Sequence, residues 1–233
     1  MPDRSLQQRR GARLAVALAA AAALLAAPQP AAAGFIGDPT FTNGAGRVSI
    51  TGELDFVTDR DLDFDPGHGD LETMRVFANA GYGFGSNVDG FVKLGLFNGE
   101  FDPGGNDIDT SLAVGFGVKG AFVDRGEIRL GALGQVLYSQ SELENSGADV
   151  DWFEIDLALA ASFRGLGQIV PYAGVKVSLV DGEIDAPGGD FEQDDALGLF
   201  GGLTFAVSPQ VALGAELRVL DETALGGFVR LLF

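Results

Sequence analysis

Ten segments between Val48 and Phe233 repeat one pattern, an apolar residue at every second position with polar or small residues between. In the first segment Val48, Ile50, Leu54 and Phe56 alternate with Ser49, Thr51, Glu53 and Asp55. In the fifth, Ile128, Leu130, Ala132, Val136 and Tyr138 oppose Arg129, Gln135 and Ser139. Successive side chains of an extended chain point to opposite faces, so a period of two means strands with one apolar face each. Twelve charged residues lie within these strands: Glu53, Asp55, Arg75, Lys93, Lys119, Arg129, Glu154, Asp156, Lys176, Glu216, Arg218 and Arg230. All twelve fall on the polar face. Chance would scatter them, so the other face is built for an apolar environment.

A soluble β-sandwich also alternates, with its apolar faces meeting in a core. Two features favour lipid instead. Short turns ("SNVDG", "VDRG", "RGLGQ", "SPQ") alternate with longer acidic loops, and the strands reach eleven or more residues, the length of a tilted membrane span. An open sheet edge in lipid would leave backbone groups unpaired, so the sheet must close. The expected fold is therefore all-β, a closed antiparallel transmembrane β-barrel over residues 46–233. Counting gives ten strands with both termini on the short-turn side, the periplasmic side of outer-membrane barrels. The last outer connection, around Asp221 to Thr223, is only a tight turn, which leaves eight strands as the alternative.

The stretches "PYAGVKVS" (171–178) and "SPQVALGAEL" (208–217) and the ending "GGFVRLLF" resemble small bacterial outer-membrane barrels of the OmpA/OmpX-like group. That resemblance covers residues 46–233. It implies that Val229, Leu231 and Phe233 form the C-terminal signal read by the barrel-insertion machinery. It names no activity, because one fold carries many functions.

The N-terminus reads as an export signal. Arg4, Arg9, Arg10 and Arg13 precede the apolar run Leu14–Ala27, and Ala31-Ala32-Ala33-Gly34 supplies a small-residue cleavage site. Residues 1–33 are thus a signal peptide and 34–45 a short periplasmic segment ahead of the barrel. Removing the four Arg and one Asp of residues 1–33 leaves 11 basic and 32 acidic residues, a net charge of −21. Such a surface excludes nucleic acid as a partner. The chain has no cysteine, which excludes thiol chemistry and disulfides.

Most of the acid belongs to the outer loops: 23 carboxylates from Asp59 to Glu222, opposed there by Arg60 alone. In "DRDLDFDPGHGDLE" the residues Asp61, Asp63, Asp65 and Glu72 have the spacing of an EF-hand loop, but Pro66 stands where that loop needs its turning glycine. These four are candidates for weakly bound Ca²⁺ or Mg²⁺ at an acidic rim. The rim also suits divalent bridges to lipopolysaccharide phosphates, with outer-membrane lipid as the surrounding partner. His68 is the only histidine and no serine stands in a nucleophile motif, so no enzyme is expected. Inside, seven bases and five acids should pair, because a lone buried charge is costly. Phe77, Phe97, Phe200 and Phe228 should narrow the bore, while inward glycines such as Gly81, Gly115, Gly131, Gly198 and Gly202 leave space. The expected function is a structural or surface-interaction barrel. The alternative is a narrow porin-like channel with a cation-attracting vestibule.

Overall fold

The computed structural model describes residues 35–64, 67–102, 106–144, 146–185 and 189–233. Its strands are β1 (Val48–Asp59), β2 (Asp61–Phe64), β3 (Gly67–Gly83), β4 (Val88–Asp102), β5 (Asn106–Arg125) and β6 (Ile128–Glu142). They continue as β7 (Asp149–Phe163), β8 (Ile169–Ile184), β9 (Gly189–Gln193), β10 (Leu197–Ser208), β11 (Val211–Val219) and β12 (Thr223–Leu232). All pairings are antiparallel. β1 pairs with β3 on one side and β12 on the other, so the sheet closes on itself.

Ten of these strands form the wall. β2 and β9 are short additions at the long-loop end, where β2 pairs with both β3 and β9 and β9 with β8. The tight turn at Asp221 does separate two wall strands, β11 and β12, which rules out eight. The chain ends help to close the seam, because Phe233 donates its N–H to the Val48 carbonyl at 2.8 Å.

The alternation seen in the sequence becomes an inside and an outside. Val92, Leu94, Leu112, Phe116, Leu157, Leu203 and Leu225 are exposed on the outer wall, whereas the inward Phe77, Phe97, Phe200 and Phe228 are buried. Phe84, Phe122 and Phe233 stand exposed near the short-turn end, and Tyr138 and Phe153 nearer the long-loop end. Aromatic residues at the two levels match the girdles that sit at both lipid–water boundaries of such barrels. β-Bulges interrupt four pairings, at Val57/Asp59, Phe97/Gly99, Ala121/Val123 and Ala206/Ser208. In the β5–β6 turn Gly126 takes φ +63°, a conformation glycine adopts without steric cost.

The N-terminal segment, expected as a short periplasmic stretch ahead of the barrel, lies elsewhere. Residues 35–40 and Asn43 are buried inside the wall at the short-turn end. The inward glycines make room for it: a Cβ on Gly131 would lie 3.0 Å from Thr40 Cα, and one on Gly83 would lie 2.0 Å from the Gly44 carbonyl oxygen. The space that Gly81, Gly83 and Gly131 were expected to leave open is occupied by this segment.

Candidate functional site: the filled lumen and the loop end

The lumen has three layers. Nearest the short turns lies the segment 35–43, held by side chains of the wall. Asn43 donates its N–H to Asp89 Oδ2 at 2.8 Å, Arg129 Nη1 donates to the Thr40 carbonyl at 2.7 Å, and Arg230 Nη1 donates to the Phe41 carbonyl at 3.2 Å. Thr40 and Ser162 share a hydroxyl–hydroxyl bond of 2.5 Å. Deeper in, the Phe35 carbonyl accepts from Lys93 Nζ at 3.1 Å and from Gln135 Nε2 at 3.4 Å, and Ile36 donates its N–H to Glu216 Oε1 at 3.2 Å. Ile36 packs with Phe91, Leu133, Tyr172 and Phe200, and Phe35 against Phe228 with ring centroids 5.6 Å apart. The cavity left beside this segment measures 30 Å³, room for very little water.

The middle layer is a network of buried ions. Glu222 accepts from Arg60 Nη2 at 2.5 Å, from Arg218 Nε at 2.6 Å and from Lys176 Nζ. Arg60 and Arg75 converge on Glu154 at 3.3 and 2.7 Å, and Arg218 also reaches Asp55 at 2.6 Å and Glu216 at 3.1 Å. Lys176 adds Asp221 at 2.7 Å. The side chains in these pairs are no more than 1% exposed. Ser178 and Gln135 both donate to Asp156, and Gln135 thereby links this layer to the segment beneath.

Three members of the network were expected in the exposed loops. Arg60, Asp221 and Glu222 turn inward and are buried. The turn that brings the two acids in is strained: Leu220 has φ +91°, and among the described residues it is the one non-glycine residue with positive φ. Gly198 makes the space, since a Cβ there would meet Asp221 Oδ1 at 2.0 Å. Burial first, then the Glu222 charge, lifts Asp221 to about 6 against the pull of Lys176. Burial would raise Glu222 too, but Lys176, Arg60 and Arg218 outweigh it and hold that carboxyl well below its ordinary range.

The third layer, at the long-loop end, is apolar. Leu62 of β2 and Phe191 of β9 join Leu71, Phe97, Ile108, Leu143, Val150 and Ile184 around Trp152. Phe191 and Phe97 lie 5.6 and 5.8 Å from the Trp152 ring, and Arg75 stands 5.6 Å over it. The β2–β9 pairing (Leu62 with Gln193, Asp63 with Glu192) joins the connection after β1 to the connection after β8 across this end.

All twelve strand charges point inward as expected, eleven buried and Lys119 half-buried. Counting every described lumenal charge, nine buried carboxylates (Asp38, Glu53, Asp55, Asp89, Glu154, Asp156, Glu216, Asp221, Glu222) face seven buried cations and Lys119. Sequence reasoning missed Arg60, Asp221, Glu222, Asp38 and Asp89 as lumenal residues. The surplus of two bases among the strand charges was the signal that carboxylates had to come from elsewhere.

Of the four expected metal ligands, the three among the described residues do not gather into one group. Asp61 pairs in register with Asp70 across the β2–β3 hairpin, and the two gather with Asp59 within 4.8 Å. Desolvation first, then the bond to Asp70 and the neighbouring carboxylates, pushes Asp61 up. Asp63 instead contacts His68 Nδ1, and Glu72 lies on β3 opposite Glu100. Asp65 lies outside the described residues. Of the insertion-signal residues, Val229 and Leu231 are half-exposed and Phe233 exposed.

Residues 85–226, more than half of the chain, match the family model for the outer membrane protein beta-barrel domain. The chain belongs to that family. This outer-membrane barrel is also similar in fold to an outer membrane channel from Pseudomonas putida F1, at 8% identity and TM-score 0.51, covering 86% of this chain and 100% of that one. A second likeness, at 12% identity and TM-score 0.50, is to the translocator domain of the autotransporter NalP from Neisseria meningitidis, covering 83% and 90%. At such identities the likeness speaks for the barrel and not for its contents. The sequence matches no curated protein.

Proposed function

We propose that this outer-membrane barrel is a non-conducting, non-enzymatic wall-spanning scaffold whose work is done by its long-loop end as a surface-interaction protein. The carrying observation is the filled lumen. A buried peptide segment, a belt of paired ions and an apolar cap around Trp152 follow one another along the axis. A porin-like path would require moving all three, which weighs against the channel alternative. The His68–Asp63 pair, 81% and 37% exposed on the hairpin, is open to the water that a reaction site would exclude.

On this reading residues 1–33 export the chain and Val229, Leu231 and Phe233 serve its insertion by the barrel-assembly machinery. The long-loop end then faces outward among lipopolysaccharide headgroups. Any Ca²⁺ or Mg²⁺ gathered there meets Asp59, Asp61 and Asp70 rather than the set expected from spacing. Single-channel recording of the refolded barrel in a planar bilayer under a salt gradient tests the proposal. Silence from properly inserted protein is the expected result. Stable cation-selective steps would overturn it in favour of a channel.

A further inference from the structure

Near the long-loop end β5 parts from β6. Their register runs from Arg125 opposite Ile128 to Ala113 opposite Ser139 and stops there. The two strands meet again only at the bridge between Ile108 and Leu143, so residues 109–112 of β5 face residues 140–142 of β6 outside any shared register. On its other side β6 stays on β7, with Gln140 opposite Asp151 and Glu142 opposite Asp149. On its other side β5 bulges, since Asp109 and Thr110 lie between the pairs Ser111–Phe97 and Ile108–Gly99, opposite Asn98 alone. Bulges of this kind re-aim side chains and gather beside functional sites.

The parting leaves a polar groove of 600 Å³. Asp109, Glu142 and Asp149 line it with Thr110, Gln140 and Ser141, and among the described residues no cationic side chain does. The three carboxylates are exposed, whereas Ser141 is only 5% exposed and its Oγ has no hydrogen-bond partner. A buried hydroxyl left unpaired beside an open polar groove marks a place for a donor from outside the chain. The ligand atoms of Asp109, Glu142 and Asp149 do not all lie within 4.8 Å of one another, which among the described residues only Asp59, Asp61 and Asp70 achieve. A bare metal ion therefore finds no chelating set in the groove. Yet Glu142 and Asp149 are like charges directly opposite on adjacent strands, an unfavourable pairing that a positive ligand relieves.

We propose that this groove binds a polyamine, a flexible chain of ammonium groups separated by short methylene runs. Carboxylates too far apart for one ion suit charges that are themselves spaced. Each ammonium donates N–H bonds, which the three carboxylates accept as charged partners and the hydroxyls of Thr110 and Ser141 as neutral ones. Leu112, 59% exposed in the same lining, offers the methylenes an apolar contact. The groove lies on the long-loop side of Tyr138 and Phe153, which are paired across β6 and β7 at the outer aromatic level, so it opens among headgroups and not into hydrocarbon. The inference gives the long-loop end a class of partner and rests on the surface-interaction reading proposed above.

The test is a calorimetric titration of the detergent-solubilised barrel with spermidine at physiological ionic strength, where diffuse attraction to the acidic loops is screened. One saturable site is expected. Magnesium chloride added at matched ionic strength should change the affinity by no more than about twofold. Glu142→Gln and Asp109→Asn should each weaken binding about threefold or more, and so should Ser141→Ala, which removes no charge. Asp190→Asn takes the same charge from β9, outside the groove, and should leave the affinity unchanged. A titration without saturation would overturn the proposal with no variant needed, and displacement of spermidine by magnesium would assign the groove to a metal instead. If Asp190→Asn weakened binding as much as Glu142→Gln, or Ser141→Ala left it untouched, the binding would belong to diffuse acidity and the proposal would fall. None of these results depends on conductance, so the bilayer recording can sink the scaffold reading separately.

Discussion

Glu222→Gln removes one charge and keeps the volume, at the point where three cations meet. Arg60, Arg218 and Lys176 all contact this carboxylate, and none of the side chains is more than 1% exposed. Removing one partner of a buried ion pair costs about 3–5 kcal/mol, because the opposite charge stays behind without compensation. Arg60 keeps Glu154, Arg218 keeps Asp55 and Glu216, and Lys176 keeps Asp221, so the loss should fall within that range rather than at three times its size. The chain offers its own probe. Trp152, the single tryptophan, is fully buried, and its Nε1 donates to Glu154 at 3.2 Å in the same network. Urea titrations of the barrel in lipid vesicles, followed by Trp152 fluorescence, should show the destabilisation as a lowered midpoint with an unchanged slope. Asp63→Asn, which disrupts only the exposed contact to His68, should cost less than about 1 kcal/mol in the same assay. If Glu222→Gln shifted stability no more than Asp63→Asn, the buried belt would not be holding this barrel together.

Four further outcomes are expected. Gly198→Ala puts a methyl 2.0 Å from Asp221 Oδ1 and should destabilise by about 1–3 kcal/mol, whereas Gly134→Ala, whose nearest neighbour is a Leu157 methyl at 3.4 Å, should be tolerated; equal effects would contradict the inward turn at Leu220. Asp221 is raised from 3.8 to about 6, so the unfolded chain loses this proton at lower pH than the folded one and stability should fall as pH rises across that window; Asp221→Asn should flatten the slope there, and an unchanged profile would remove Asp221 as its source. Glu222 is depressed, so its contribution is complete above about 4.5 and is lost only in stronger acid. An epitope tag placed at Gly105 or Gly188, both outside the described residues, should be detected on intact cells; detection only after permeabilisation would reverse the orientation of the barrel.

The wall of this protein was legible in its sequence because a strand writes its geometry into residue spacing. The alternation of Val92, Leu94 and Leu96 with Lys93, or of Leu213, Ala215 and Leu217 with Glu216, assigns each side chain a face before any partner strand is known. Closure followed, since lipid tolerates no unpaired edge. The inward placement of all twelve strand charges and of the four lumenal phenylalanines came from the same periodicity. What lies inside the wall was not legible, because residues outside strands carry no such period. Nothing in "LDET" tells a reader that Leu220 takes a left-handed turn and sends Asp221 and Glu222 inward, nor that Gly198, more than 20 residues earlier, clears their space. Likewise Leu62 and Phe191 come from connections far apart in the chain and meet only when β2 pairs with β9. Residues 34–45 read as a short periplasmic segment because a short aperiodic stretch says nothing about which side of a wall it lies on. Local spacing determined the barrel; contacts between distant segments, which form only once the sheet has closed, decided that it is full.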